Sequence, residues 1–368
     1  MKDSSDILFF FGAGASAPFG IPTMKQLVID FRHFLSENGT DKEKEIFADI
    51  QNTLERELQR QIDLEDIFTV IDGLRNYAPD RMGLVSIYSS VKAFSKVPSL
   101  GIDPAVCLTL EEKFKSFVRE RCLISDDMFD RISDVYRDLF NRIWDTTKKS
   151  SSLIQMQQGD FKYCRPWSLF TTNYDTCLEY YWREKARVAV NTCFRYDPAR
   201  RTHVLDPRLF FDRSLSVSSE TTMKLVKLHG SVSWMIEPDG TVTEEESIPA
   251  RSLVGRRYVG PMMIYPIQQK ELYVDPYISM FAQLNTELAS KTNWLVIGYS
   301  FNDPVITEIF VRNSEPRKKI LLVHPEADRI LSAKLYGLKS QNVEALKYRL
   351  GIGDGYININ QSLAERLV

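Results

Sequence analysis

At 368 residues the chain is long enough for one large α/β domain with an insertion, or for two domains of ordinary size. Its 43% hydrophobic and 26% charged residues exclude wholesale disorder, and a net charge of −2 makes a dedicated nucleic-acid binder unexpected. Apolar runs such as Ile7 to Phe11 fall far short of the roughly 20 residues of a spanning helix, so no membrane segment is expected.

Residues 1–6 are polar and lead straight into that first apolar run, without the apolar core and cleavage site of a signal peptide. A cytoplasmic protein is expected. The five cysteines, Cys107, Cys122, Cys164, Cys177 and Cys193, are odd in number and widely spaced, which suits neither a disulfide framework nor the close pairs of a zinc knuckle.

The run Ile7 to Phe11 reads as a strand, and Gly12-Ala13-Gly14-Ala15-Ser16-Ala17 follows as a βα glycine turn of the form G-x-G-x-x-A. Met24, Leu27, Val28, Phe31, Phe34 and Leu35 then keep a helical period up to Asn38-Gly39, a helix end. From about 41 to 147 the pattern is almost all helical, with Ile46, Phe47, Ile50, Leu54 and Leu58 on one face and Leu64, Ile67, Phe68 and Ile71 on another. The serine-rich stretch 146–160 reads as a linker. Apolar runs recur at Trp167–Thr171, Val188–Cys193, Met223–Leu228, Met262–Tyr265, Trp294–Tyr299 and Ile320–Val323, with polar surface loops expected at 212–222 and 237–250. The expected fold is α/β: a Rossmann-like, doubly wound and mostly parallel sheet from 1–40 and 161–368, interrupted by an all-helical insertion over 41–160.

A glycine turn before a helix lets backbone approach a pyrophosphate. The acid that a nicotinamide dehydrogenase places about 20 residues on would be Asp30, but that residue falls inside the amphipathic helix, so this is not a standard dehydrogenase. From context alone Asn173 is most simply a cap for the helix after it, and His229 a histidine of the core at a strand end.

Four stretches, in order, resemble the sirtuin family: Gly12-Ala13-Gly14-Ala15-Ser16 with Gly20-Ile21-Pro22, then Thr171-Thr172-Asn173-Tyr174-Asp175, then Lys227-Leu228-His229-Gly230, then Leu295-Val296-Ile297-Gly298-Tyr299-Ser300. The continuation Phe301-Asn302-Asp303 is similar to SIR2-like domains of bacterial NAD-depleting defence proteins. Two departures stand out: Thr23-Met24-Lys25 follows Gly20-Ile21-Pro22 where sirtuins have Asp-Phe-Arg, and the sirtuin zinc module with its two cysteine pairs is missing.

The resemblance implies NAD as substrate, no zinc, and Asn173 and His229 as the catalytic pair. It further implies cofactor contacts from Gly12, Ala13, Gly14, Ser16, Ile21, Pro22, Thr172, Asp175, Gly298, Ser300, Asn302 and His324, with Asp175 more a structural acceptor behind the site and Asp303 a helix cap. Cleavage of the nicotinamide–ribose bond leaves an oxocarbenium-like ribose. An asparagine amide can hold a ribose hydroxyl and a water together, and a histidine can take a proton. The expected activity is therefore NAD+ glycohydrolysis, in a homo-oligomer that works as an anti-phage effector restrained by a separately encoded partner, for which the resemblance suggests a HerA-type ATPase. A zinc-free deacylase or ADP-ribosyltransferase, and a non-catalytic NAD or ADP-ribose scaffold, are the alternatives.

Overall fold

The computed structural model describes residues 7–59, 62, 66–67, 70–71, 104–148, 167–211, 222–245, 260–263, 275–340 and 342–351. The linker at 146–160 beyond Lys148, the loop at 212–222 before Thr222, Leu64, Phe68 and Cys164 lie outside the described residues.

Seven strands form one parallel sheet: β1 (Ile7–Phe11), β2 (Ser168–Thr171), β3 (Ala189–Asn191), β6 (Thr222–Lys227), β10 (Asn293–Ile297), β11 (Lys319–Val323) and β12 (Asn342–Leu346). Their order is β12-β11-β10-β1-β2-β6-β3, and every pairing is parallel. Strand order reverses at β1, the arrangement of a doubly wound Rossmann-like fold.

The run Ile7 to Phe11 is apolar without alternation because β1 is buried on both faces. On one face Phe9 and Phe11 meet Phe140 of helix α5 (Phe129–Lys148) at ring-centroid distances of 5.7 and 6.2 Å. On the other, Phe10 packs 5.2 Å from Phe310 of helix α8 (Pro304–Asn313), in a core that also holds Trp294, Leu284 and Leu288. Fully burying each such side chain is worth about 1.5–3 kcal/mol, so this central strand anchors the sheet.

A second sheet of five strands was not legible as such. Strands β4 (Phe194–Asp197), β5 (Thr202–Leu205), β7 (Gly230–Ile236), β8 (Val242–Glu244) and β9 (Gly260–Met263) pair antiparallel in the order β4-β5-β8-β7-β9. Two expectations are corrected here. The run beginning at Met262 belongs to this antiparallel sheet rather than to the parallel one, and the segment 237–250 is not all surface loop, because Val242–Glu244 pairs with both β5 and β7. The turn joining β7 to β8 is Pro238-Asp239-Gly240, with Gly240 at φ 81° and Asp239 accepting from the Thr241 amide at 2.9 Å. Its composition is itself a hairpin signal.

The chain divides into two compact units. The larger, Met1–Ile21 with Cys122–Met263 and Glu271–Val368, contains both sheets and α5. The smaller, Pro22–Arg121 with Ile264–Lys270, contains helices α2 (Met24–Asn38), α3 (Asp41–Leu58) and α4 (Pro104–Arg121). These edges differ from the sequence boundaries at 40 and 160 for a packing reason. Phe31 of α2 meets Phe47 of α3 and Phe114 of α4 at 5.4 and 4.8 Å, while α5 spends Phe140 on the sheet. Asp30 lies in α2 and pairs with Arg121 at 2.6 Å, so it is a helix-to-helix tie and not a ribose acid.

Candidate active site

Parallel pairing puts strand ends at one level. Phe11 is opposite Thr171 and Ile297, Thr171 is opposite Lys227, and Ile297 is opposite Val323. The residues that follow, Gly12, Thr172, Leu228, Gly298 and His324, therefore line the carboxyl edge, where open α/β sheets bind ligands. Backbone bonds carry the register one step further: Thr172 N donates to Phe11 O at 3.1 Å, Leu228 N to Thr171 O at 2.8 Å, and Gly298 N to Val323 O at 2.8 Å.

Asn173 sits two residues past β2. Its backbone amide donates to Thr171 Oγ1 at 2.9 Å, and its side-chain Nδ2 donates to Gly12 O at 3.0 Å and to Ser16 Oγ at 2.8 Å. A carbonyl can only accept, so the contact with Gly12 O fixes which end of the amide carries nitrogen. The other end, Oδ1, is buried and has no hydrogen-bond partner among the described residues. The capping role belongs to a neighbour: Asp175 Oδ1 accepts from Cys177 N at 3.0 Å at the start of helix α6 (Cys177–Tyr180). Asp175 is thus a buried structural acceptor, and Asn173 is left to face the edge.

His229 occupies the joint where β6 of the parallel sheet passes into β7 of the antiparallel sheet, followed by Gly230 at φ 84°. It is 3% exposed, and its Nε2 lies 3.2 Å from Asp303 Oδ2. Flanking residues knit this joint to the Asn173 segment. Val232 N and Ser231 Oγ donate to Tyr174 O at 3.0 and 3.3 Å, and Lys227 Nζ donates to Tyr174 O at 3.3 Å and to Asp175 O. Beneath them the buried Lys227 pairs with Glu179 at 2.8 Å; burial pushes the Glu179 carboxyl up, against the pull of Lys227.

The glycine turn packs closely against the segment after β10. Gly12 N donates to Ile297 O and Gly14 N to Gly298 O, both at 2.9 Å. A Cβ on Gly12 would fall 2.6 Å from Gly298 O, one on Gly14 would fall 2.9 Å from Gly298 Cα, and one on Gly298, itself at φ 68°, would fall 2.3 Å from Ala15 N. These three glycines let two loops of the chain touch. Ser16 is 1% exposed, and its hydroxyl both accepts from Asn173 and bonds Tyr136 of α5, so it acts on the orientation of Asn173.

Among the remaining expected residues, Ala13 is partly exposed on the turn, Thr172 and Ile21 are buried, Pro22 and Ser300 are half-buried, and Asn302 is exposed. His324 follows β11 and accepts from Glu326 N at its Nδ1 at 3.0 Å; burial pulls its pKa below 6.5. The sequence context of Asp303 points only to a helix cap. It does cap α8, yet its second oxygen reaches His229, and no spacing rule announces a contact 74 residues away.

Among the described residues no group of three or more His, Cys, Asp or Glu is placed to hold a metal ion, and no helix is long and apolar enough to cross a membrane. Cys107, Cys122, Cys177 and Cys193 are buried free thiols.

Fold and strand ends together define a doubly wound α/β protein with polar residues, Asn173 and His229 among them, just past the carboxyl ends of its parallel strands. Residues 168–346 match the family of the SIR2-like domain, a span that begins at β2 and closes with β12. No curated protein matches the chain. Solved structures similar to it include a Sir2 homologue in complex with NAD, at 14% identity over 98% of this chain and 88% of that one, with a TM-score of 0.41. A mutant Sir2 homologue with 2'-O-acetyl ADP ribose is also 14% identical, covering 98% and 91%, with a TM-score of 0.41. A Sir2 structure bound to a propionylated peptide is 12% identical, covering 94% and 88%, with a TM-score of 0.33. The fold assignment rests on the strand order itself.

Proposed function

We propose that the protein is an NAD+ glycohydrolase, which adds water to the ribose as the nicotinamide bond breaks and releases nicotinamide, ADP-ribose and a proton. The observation that most supports this reading is the state of Asn173: its Nδ2 is fixed by Gly12 O and Ser16 Oγ, so a buried acceptor, Oδ1, is held ready at the sheet's carboxyl edge. Such an acceptor suits a ribose hydroxyl or the attacking water, and a preset orientation costs nothing at the moment of reaction. His229, at the end of the neighbouring strand β6, is the group to accept the proton. The match of 168–346 to the SIR2-like domain supports NAD as the substrate class.

The backbone amides of Gly12 and Gly14 are committed to the 297–298 segment. Pyrophosphate contacts on this reading therefore come from Ala13 and from the half-buried Ser300. The same proposal includes a cytoplasmic homo-oligomer acting in anti-phage defence and restrained by a HerA-type ATPase, which rests on the resemblance of the Gly298–Asp303 segment. The test is nicotinamide release from NAD+ by the purified protein, alone and with such an ATPase. Release that depends on an added acylated peptide would instead favour a deacylase, and binding of NAD without release would favour a scaffold.

A further inference from the structure

Asp303 does more than a cap requires. One carboxylate oxygen, Oδ1, accepts from Val305 N at 2.9 Å and Ile306 N at 3.3 Å, which satisfies the start of α8. A serine or asparagine would do that equally well. The other oxygen, Oδ2, is turned to His229 Nε2 at 3.2 Å, with the two side chains 2% and 4% exposed.

The loop before it is shaped to this end. Phe301 is in the left-handed region at φ 54°, unusual for a bulky residue, and is kept there by its burial against Tyr299 and Phe310 at 4.8 and 5.2 Å. Thr307 Oγ1 bonds Phe301 O at 3.2 Å and Asp303 O at 2.7 Å, closing the segment onto the first turn of α8. A backbone strain held by several independent contacts marks a position that the surrounding structure over-determines, and here the position delivered is that of the carboxylate.

An ionised carboxylate only accepts hydrogen bonds, so the ring nitrogen facing it must carry the hydrogen. We infer that Asp303 is a positioning residue that holds His229 as the Nε2–H tautomer and so makes Nδ1 the nitrogen that receives the proton. Its consequence for turnover rests on the glycohydrolase reading above; the tautomer itself does not. The contact also ties the 298–303 loop to the joint between the two sheets.

The test uses the full-length protein labelled with ¹⁵N in its histidine rings. There are four histidines, and a His229→Gln variant assigns the signals of interest. In the wild type His229 should show a protonated Nε2 and an unprotonated Nδ1. Asp303→Asn keeps the cap through its amide oxygen and turns an NH2 group toward the ring, so the hydrogen should move to Nδ1. Asp303→Ser keeps the cap and is too short to reach the ring. Both variants should lose about 10²- to 10⁴-fold in kcat for NAD+ cleavage, with KM changed only a few-fold and a melting temperature close to that of the wild type. A wild-type His229 with its hydrogen on Nδ1, or an Asp303→Asn variant that keeps the wild-type tautomer, overturns the inference without any variant having to turn over. Should the wild type cleave no NAD+ under any condition, the glycohydrolase reading falls and the nitrogen shifts alone decide the role of Asp303.

Discussion

The glycine turn and the Asn173–His229 corner lie on one edge of one sheet, yet they are built in opposite ways. In the turn, Gly12, Gly14 and Gly298 have no side chains because the two loops touch backbone to backbone. In the corner, side chains do the holding: Thr171 and Ser16 aim Asn173, Asp303 faces His229, and Lys227 ties the flanking backbone together. A glycine motif that resembles a phosphate loop thus also makes a close backbone contact, while polar side chains are fixed two residues past the strand ends.

The support beneath the corner should give the largest effect. Lys227→Met leaves Glu179 buried without its cation and removes a donor from the Tyr174 and Asp175 carbonyls, and should cost about 3–5 kcal/mol in urea unfolding. Adding Glu179→Leu should recover a large part of that loss. If the double variant is no more stable than the single one, the pair is not what binds the corner.

Gly298→Ala comes next. A methyl 2.3 Å from Ala15 N, on a residue at φ 68°, forces the two loops apart and should cost about 3 kcal/mol. The comparison predicts that this change, like Gly12→Ala, is seen first as lost stability, and an unchanged denaturation midpoint would show that the turn is not a packed contact.

Asn173→Ala should behave the other way round. Two side-chain hydrogen bonds go, worth about 1 kcal/mol each, so the melting curve moves modestly. Turnover of NAD+ should meanwhile fall about 10²- to 10⁴-fold with NAD affinity largely kept.

The smallest effect belongs to His324. Burial lowers its pKa in the folded protein, outweighing the opposing pull of Glu326 and joined by Arg329 and Arg349. The unfolded chain then binds the proton more readily, so folding stability declines as pH falls through 6.5 and below. Replacing His324 with Gln should flatten that decline between about pH 7 and 5 in a series of unfolding curves. A slope unchanged by the substitution would mean that protonation here is not linked to folding.

Much of the parallel sheet was readable because its strands are buried on both faces: Ile7–Phe11 and Lys319–Val323 are nearly continuous apolar runs with glycine or helix signals at their ends. The antiparallel sheet was not, since Phe194–Asp197 and Val242–Glu244 are short and carry polar residues at half or more of their positions. Only Pro238-Asp239-Gly240 advertised a hairpin. At the site, Asn173 and His229 could be singled out by their sequence neighbours, whereas Ser16 as the partner of Asn173 and Asp303 as the partner of His229 follow from strand register and loop closure, which local patterns do not encode. Asn173 as a helix cap, the simplest reading of its context, gave way because Asp175 supplies the oxygen at the start of α6.

The account turns on whether the Asn173 and His229 corner breaks the nicotinamide–ribose bond. The direct measurement is nicotinamide release from NAD+ by the wild type, Asn173→Ala and His229→Ala at matched concentration, with and without a HerA-type ATPase, with NAD binding measured in parallel. The account predicts release by the wild type in at least one of these conditions, a loss of about 10²-fold or more in each variant, and retained binding. Variants that release nicotinamide at the wild-type rate would contradict it.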